Sequence, residues 1–297
     1  MFPGPLRAFY EAVRGGSIRK ASEALNQAPS SISRQIGILE RQMGTALFDR
    51  SATGVTLTRS GELVADYARS ALLGFDSLCA DIADVKGVGQ GLIKLTTVEG
   101  VVSEGAIAAI IAFRAKYPRV SFQLKILPAP RVIDVVRLGE TDIGITFCGQ
   151  PHVDIKTEIK IPDPIVVAAA PSSALSPSVS LADLHAMPIA MPETNFGIRQ
   201  IVDRAAHAQG FALSPVVSTD SFEALRSFAR LGAGVSVMAR RSIRDDVASG
   251  HLKMIGIDEP TLRATTIDVI TLKNRRLSAI LKFFLKELKD VCEASAL

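Results

Sequence analysis

The 297-residue chain contains no tryptophan, three tyrosines, four histidines and three cysteines, and these scarcities narrow what it can be. Cys79, Cys148 and Cys292 are too few, too scattered and odd in number to build a disulfide framework or a metal knuckle. They read as small buried hydrophobes in a reducing compartment. His152, His185, His207 and His251 stand apart, no two at the helical spacing of a metal site, and no G-x-S-x-G elbow occurs. Neither catalytic residues, a metal nor a cofactor is expected, and enzymatic activity is not. Long apolar runs are missing too. The best candidates, "EGAIAAIIAF" and "DPIVVAAAP", are too short to span a bilayer. The opening "MFPGPLRAFY" lacks the basic segment and apolar run of a secretory signal. A cytoplasmic protein without membrane contact is therefore expected.

What is present is a globular composition, 47% hydrophobic and 22% charged, in a chain long enough for two or three domains. The net charge of +4 is unevenly placed. Residues 1–60 carry eight basic side chains against four acidic ones, an excess of four. The other 237 residues hold 26 of each sign, out of 34 basic and 30 acidic in the whole chain. The entire positive excess thus sits in the N-terminal fifth, where a phosphate-facing surface would need it.

That fifth contains two amphipathic helical patterns with almost nothing between them. Ile18, Ala21, Ala24 and Leu25 recur at helical spacing, as do Ile32, Ile36, Leu39 and Met43. Between them Asn26 tolerates a left-handed backbone and Pro29 opens the next helix. Ser17 caps the first of the pair. So short a connection predicts a helix-turn-helix. An earlier helix, with Leu6, Phe9, Tyr10 and Val13 on its apolar face, ends at Gly15-Gly16, and Leu47, Phe48, Val55 and Leu57 flank a turn as in a small β-hairpin wing. Ser30, Ser31, Ser33, Arg34 and Gln35 crowd the start of the second helix of the pair, where hydroxyl, guanidinium and amide groups suit base edges and phosphates.

From Ser60 to about Lys86 a long helix carries Val64, Tyr67, Ala71, Phe75, Leu78, Ile82 and Val85 at a mean spacing near that of a coiled-coil seam. Dimerisation is the preferred use of this stripe; packing on the chain's own domains is the alternative. "GVGQG" at 87–91 then reads as a hinge. Its glycines precede a strand instead of following one, which excludes the dinucleotide-binding fingerprint. Beyond it strands and helices alternate, predicting parallel sheets with helices on both faces, built as two α/β lobes with crossovers near 162 and 264. The cleft between such lobes is the expected ligand site.

This layout resembles the LysR-type transcriptional regulators along essentially the whole chain. The stretch "LRAFYEAVRGGSIRKASEALNQAPSSISRQIGILERQMGTALFDRSATGVTLTRSG" matches that family's helix-turn-helix and wing, and "FRAKYPRV", "LGETDIGI" and "LGAGVSVMA" follow in the expected order. Ser22 and Ala239 stand where the family commonly has Ala and Pro. The resemblance implies an α/β chain with an N-terminal all-α winged helix-turn-helix at 1–59 and a linker and dimerisation helix at 60–89. A two-lobed, periplasmic-binding-protein-like effector domain would fill 90–297, with lobe I from 90–162 and 265–297 and lobe II from 163–264. It further implies a dimer of dimers on interrupted palindromic promoter DNA, a small-molecule effector acting allosterically between the lobes, and RNA polymerase as a further partner.

Carried onto this chain, the resemblance turns Pro29, Ser30, Ser33 and Arg34 toward the operator, while Ser31 and Gln35 are DNA-facing by their place at the start of the helix and Arg50 and Thr53 by theirs at the wing. Arg34 is expected on base edges and Ser33 on phosphate or base; for Ser30 a helix N-cap is the alternative. The effector-facing residues are Thr97, Val98, Glu99 and Gly100, then Ala129 and Phe147, and across the cleft Thr194, Asn195 and Phe196. Glu99 would repel a carboxylate. Either the effector bears a cationic or hydroxyl group at that end, or Glu99 turns outward and Ser103 caps the helix. Arg199 either supplies a positive charge to the cleft or lies on the surface. Ala129 and Phe147 favour a partly apolar ligand.

Overall fold

Three capped helices and a hairpin open the chain in the computed structural model, which describes residues 4–51, 54–85, 91–149 and 151–294. Helix α1 (Gly4–Gly15) stops where Gly16 takes a positive φ of 68°. Helix α2 (Ile18–Leu25) begins on Ser17, whose hydroxyl accepts from the Lys20 amide at 3.2 Å, and ends on left-handed Asn26. Helix α3 (Pro29–Met43) has Pro29 in its first turn after an extended Ala28. Strands β1 (Phe48–Ser51) and β2 (Gly54–Leu57) pair antiparallel as the wing, and α4 (Arg59–Val85) follows as one continuous helix. Phe9, Ile32, Ile36 and Leu47 are fully buried in a shared core that the small faces of Ala8, Ala12 and Ala21 let the helices close around.

The chain divides into two units, Met1–Gly89 with Asn274–Lys282, and Gln90–Lys273 with Phe283–Leu297. The sequence groups 265–297 with the first lobe, yet Asn274–Lys282 belong with α4. There Ser77 Oγ donates to the Arg276 carbonyl at 2.6 Å, and Asp81 accepts from the Ala279 amide at 3.0 Å and from Arg276 at 3.2 Å. No pattern in the sequence signals this, because polar contacts between distant segments have no periodicity.

The second unit holds two sheets. Strands β3 (Gly91–Thr97), β4 (Val120–Ile126), β5 (Ile143–Phe147) and β6 (Ile155–Pro162) combine with β13 (Thr266–Leu272) in the order β4-β3-β5-β13-β6. Helix α5 (Ala108–Lys116) and α6 (Ala129–Arg137) make its crossovers. Strands β7 (Ile165–Ala169), β8 (Ser178–Val179), β9 (Ile189–Pro192), β10 (Val217–Thr219), β11 (Val235–Ala239) and β12 (Lys253–Ile257) form the other sheet, ordered β10-β9-β11-β7-β12-β8. Its connections contain α7 (Leu181–His185), α8 (Gly197–Ala208), α9 (Phe222–Arg230), α10 (Arg244–Ala248) and α11 (Pro260–Arg263), and α12 (Ala279–Ala294) ends the chain's described part.

The parallel sheets expected from strand-helix alternation are corrected to mixed ones. β3 is parallel to β4 and β5, but β13 is antiparallel to β5 and β6, and β7 is antiparallel to β11 and β12. The crossover rule constrains only strands joined by a helix within one sheet. β7 and β13 enter their sheets from the other one, so nothing forces them parallel. β6, β8 and β12 carry little strand signal in the sequence: β6 alternates charged and apolar residues as an edge strand does, β8 is two residues long, and β12 is short and interrupted by Gly256.

The cysteine expectation also changes, since Cys79 on α4 is exposed and only Cys292 is fully buried. The 87–90 part of the hinge segment lies outside the described residues.

Candidate DNA-reading helix and effector cleft

Helix α3 divides cleanly by face. Ile32, Ile36 and Leu39 are buried, while Pro29, Ser30 and Arg34 are exposed and Ser31, Ser33 and Gln35 are half-exposed. Arg34 makes no hydrogen bond or ion pair among the described residues, so its whole fork is free for a ligand. Ser30 is not the N-cap that the sequence allowed. Ala28 holds that position and Pro29 starts the helix, which leaves the Ser30 hydroxyl projecting from the first turn.

Gln35 is committed elsewhere. Its Nε2 donates to Gln27 Oε1 at 2.8 Å, and Ser31 Oγ reaches the same atom at 3.4 Å. Ser22 completes this brace by donating to the Gln27 carbonyl at 2.6 Å. A hydroxyl where an alanine is common thus ties the turn together. Glu40 then joins α3 to the wing, its Oε1 accepting from the Leu47 amide at 2.9 Å and the Phe48 amide at 3.4 Å. The Arg50 side chain and Thr53 lie outside the described residues.

In the second unit, a cavity of about 210 Å³ opens between residues that follow β3 and β4 and residues of the other sheet's loops. Val98, Glu99, Gly100, Ala129, Phe147, Asn195 and Phe196 line it, as their positions in the sequence led us to expect. Thr97 does not line it. As the last residue of β3 it is fully buried, with its hydroxyl on the Val98 carbonyl at 3.2 Å. Thr194 is exposed and outside the lining; its carbonyl accepts from Gln200. Glu99 is exposed yet contributes to the wall, opening a 3₁₀ turn (Glu99–Val101) that runs through a π-helical turn (Val102–Ile107) into α5. The Ser103 side chain lies outside the described residues.

Arg199 neither charges the cavity nor lies on the surface. It is buried, with Nε on both Asp203 oxygens at 2.9 and 2.8 Å and Nη1 on the Pro192 carbonyl at 3.2 Å. Its charge is spent holding α8 to the end of β9.

Other wall residues escaped the sequence reading, and Asp163, Asp220 and Phe222 among them matter most to the chemistry. Phe222 meets Phe196 edge-on with ring centroids 5.8 Å apart, and its ring lies 3.4 Å from where a Cβ on Gly100 would sit. Asp163 lies between β6 and β7, only 1% exposed. Its Oδ1 accepts from the Arg241 amide at 3.0 Å, and its carbonyl accepts from Thr265 Oγ1 at 2.7 Å. Burial pushes its carboxyl up to about 6, against the opposing hydrogen bond and the charges of Arg241 and Arg240. "PDP" at 162–164 offers no periodic or motif signal, so only folding identifies this acid.

Comparison with known proteins gives two family matches along the chain. The family described as "Bacterial regulatory helix-turn-helix protein, lysR family" matches residues 4–62, and "LysR substrate binding domain" matches residues 86–293. The uncharacterised HTH-type transcriptional regulator YeiE of Escherichia coli (strain K12) is 28% identical over 291 residues, covering 97% of this chain and 96% of that one. The HTH-type transcriptional activator CmpR of Synechocystis sp. is 25% identical, covering 93% and 91%. A full-length variant of OxyR from Pseudomonas aeruginosa shares the fold with a TM-score of 0.68 at 18% identity, covering 99% and 95%. CbnR in complex with its target DNA does so with a TM-score of 0.55 at 19% identity, covering 98% and 100%. An N-terminal helix-turn-helix, a two-sheet α/β domain with a cavity, and both family matches together place this chain in the LysR family of transcriptional regulators, as a DNA-binding protein with an effector-binding domain.

Proposed function

We propose that this regulator reads an interrupted palindromic promoter site through Pro29, Ser30, Ser31, Ser33 and Arg34 of α3, with Arg50 and Thr53 of the wing on the flanking backbone. Arg34 carries the reading. It is an exposed guanidinium near the start of a helix whose turn is braced by Gln27, without a partner among the described residues, so a bidentate contact to guanine costs no existing ion pair. Gln35, already bonded to Gln27, acts as a brace and not as a base reader.

The working division is a DNA-binding domain at 1–59, a linker helix at 60–89 with which 274–282 pack, and an effector domain over the rest of 90–297, with lobe I at 90–162, 265–273 and 283–297 and lobe II at 163–264. Leu63, Tyr67, Phe75, Leu78 and Ile82 are all exposed along α4, and this stripe supports a dimer that pairs again into a tetramer. The effector binds in the cavity lined by Val98, Glu99, Gly100, Ala129, Phe147, Asn195 and Phe196, and acts allosterically by favouring one quaternary arrangement over another. The protein works in the cytoplasm, with RNA polymerase as a further partner; no described helix is long and apolar enough to cross a membrane.

The test is selection of bound fragments from a genomic DNA library by purified protein at fixed salt, with Arg34→Ala in parallel, because phosphate contacts make affinity salt-dependent. Wild type should enrich a dyad-symmetric sequence. Arg34→Ala should lose about 1–3 kcal/mol of discrimination at one base position of each half-site. Weak binding without sequence preference by both proteins would refute the reading.

A further inference from the structure

The effector cavity is apolar over most of its wall, with Phe147, Phe196 and Phe222 among its lining residues, and its charged groups are all of one sign. Glu99, Asp163 and Asp220 line it, and no Lys, Arg or His does among the described residues. Asp163 stands out within this set. Its Oδ1 is satisfied by the Arg241 amide, but Oδ2 is buried and has no hydrogen-bond partner among the described residues. A buried acceptor left unpaired is costly, and a ligand donor that reaches it recovers that cost on binding.

Resting on the effector-cleft reading above, we infer that the effector is a small monocation, an amine with an apolar body, whose N–H group pairs with Asp163 Oδ2 while Glu99 and Asp220 add attraction near the cavity mouth. Several observations point the same way. A carboxylate ligand would meet three acids on the wall and, among the described residues, no lining cation, and the nearby Arg199 is already held by Asp203 and the Pro192 carbonyl. The Val98 amide, at the start of the helical segment after β3, already donates to the Ile145 carbonyl at 3.2 Å, which shrinks the cradle that an anion would use. The Arg241 guanidinium donates to the Cys292 carbonyl at 3.2 Å and makes no hydrogen bond to Oδ2. The size of the cavity limits the ligand to a small molecule.

The test uses the full-length protein and isothermal calorimetry with isoamylamine, cyclohexylmethylamine and phenethylamine, each beside its matching alcohol and carboxylate. At least one amine should bind, about tenfold or more tightly than its alcohol or carboxylate. Asp163→Asn, which keeps the acceptor for the Arg241 amide, should weaken that amine about tenfold or more, and Asp220→Asn by a smaller factor. The inference is overturned if no amine binds, if a carboxylate binds as well as its amine, or if Asp163→Asn leaves amine affinity unchanged. Should Asp163→Asn not fold, the wild-type ranking and Asp220→Asn decide the matter, and an unchanged amine affinity in Asp220→Asn removes the role given to the mouth. Ala129→Phe, which fills the cavity, keeps the two ideas apart. A carboxylate whose binding Ala129→Phe abolishes refutes the charge assignment but leaves the cleft as the effector site. Binding that survives Ala129→Phe refutes both.

Discussion

Asp163 places a measurable pH dependence in one side chain. Its folded-state carboxyl titrates at about 6, above the ordinary 3.8, so the native state holds this proton more tightly than the unfolded chain does. The sign follows from linkage. The native protein is favoured by this group below about pH 4, loses that advantage as pH rises toward 6, and is level above it. Asp163→Asn removes the slope. Thermal melts should show the variant and wild type converging near pH 4, with the variant more stable at pH 8 by up to about 3 kcal/mol. A cationic ligand acts oppositely by restoring the charged form. At the same scale Ser22 is the turn's fastener. Ser22→Ala leaves the Gln27 carbonyl without its 2.6 Å donor and should lower stability by about 1 kcal/mol, read by denaturant titration.

At the scale of elements, the wing and α4 meet at a point that admits no side chain. A Cβ on Gly61 would lie against the Leu47 carbonyl, the same oxygen to which the Thr58 amide donates at 3.1 Å. Thr58 also accepts from the Gly61 amide at 3.0 Å and donates to the Ala46 carbonyl at 2.9 Å, so the start of α4 is stitched to the entry of β1. Gly61→Ala should therefore cost about 1–3 kcal/mol, measured by chemical unfolding. Because Glu40 ties α3 to the same strand, the substitution should also loosen the wing and weaken DNA binding at unchanged base preference.

For the whole molecule the decisive surface is the outer face of α4. Ala65 and Ala68 turn inward, while Leu63, Tyr67, Phe75, Leu78 and Ile82 remain exposed, Tyr67 by 67% and Ile82 by 50%. So much apolar surface along one helix is costly in water while uncovered, and the proposed dimer covers it. Leu78→Glu should lower the sedimenting mass to that of a smaller assembly. It should also lose binding to a two-half-site operator far more than to a single half-site, since linkage of the two readers is what raises the avidity.

Much of this protein is determined locally, and that part is legible in the sequence. The helix-turn-helix follows from helical periodicity, Ser17, Asn26 and Pro29, all of which act within a few residues of themselves. The lobes follow from alternating strand and helix patterns, and the family resemblance points to part of the cavity wall, namely Val98, Glu99, Gly100, Ala129, Phe147, Asn195 and Phe196. The tertiary structure decided what depends on residues far apart in the chain. It set the antiparallel entry of β7 and β13, the placing of 274–282 against α4, and the withdrawal of Gln35 and Arg199 into existing hydrogen bonds. It also placed Asp163, Asp220 and Phe222 on the cavity wall. Periodicity reports which face of an element is buried; only the packed chain determines which distant groups share that burial, and a carboxylate's protonation and partners depend on those neighbours.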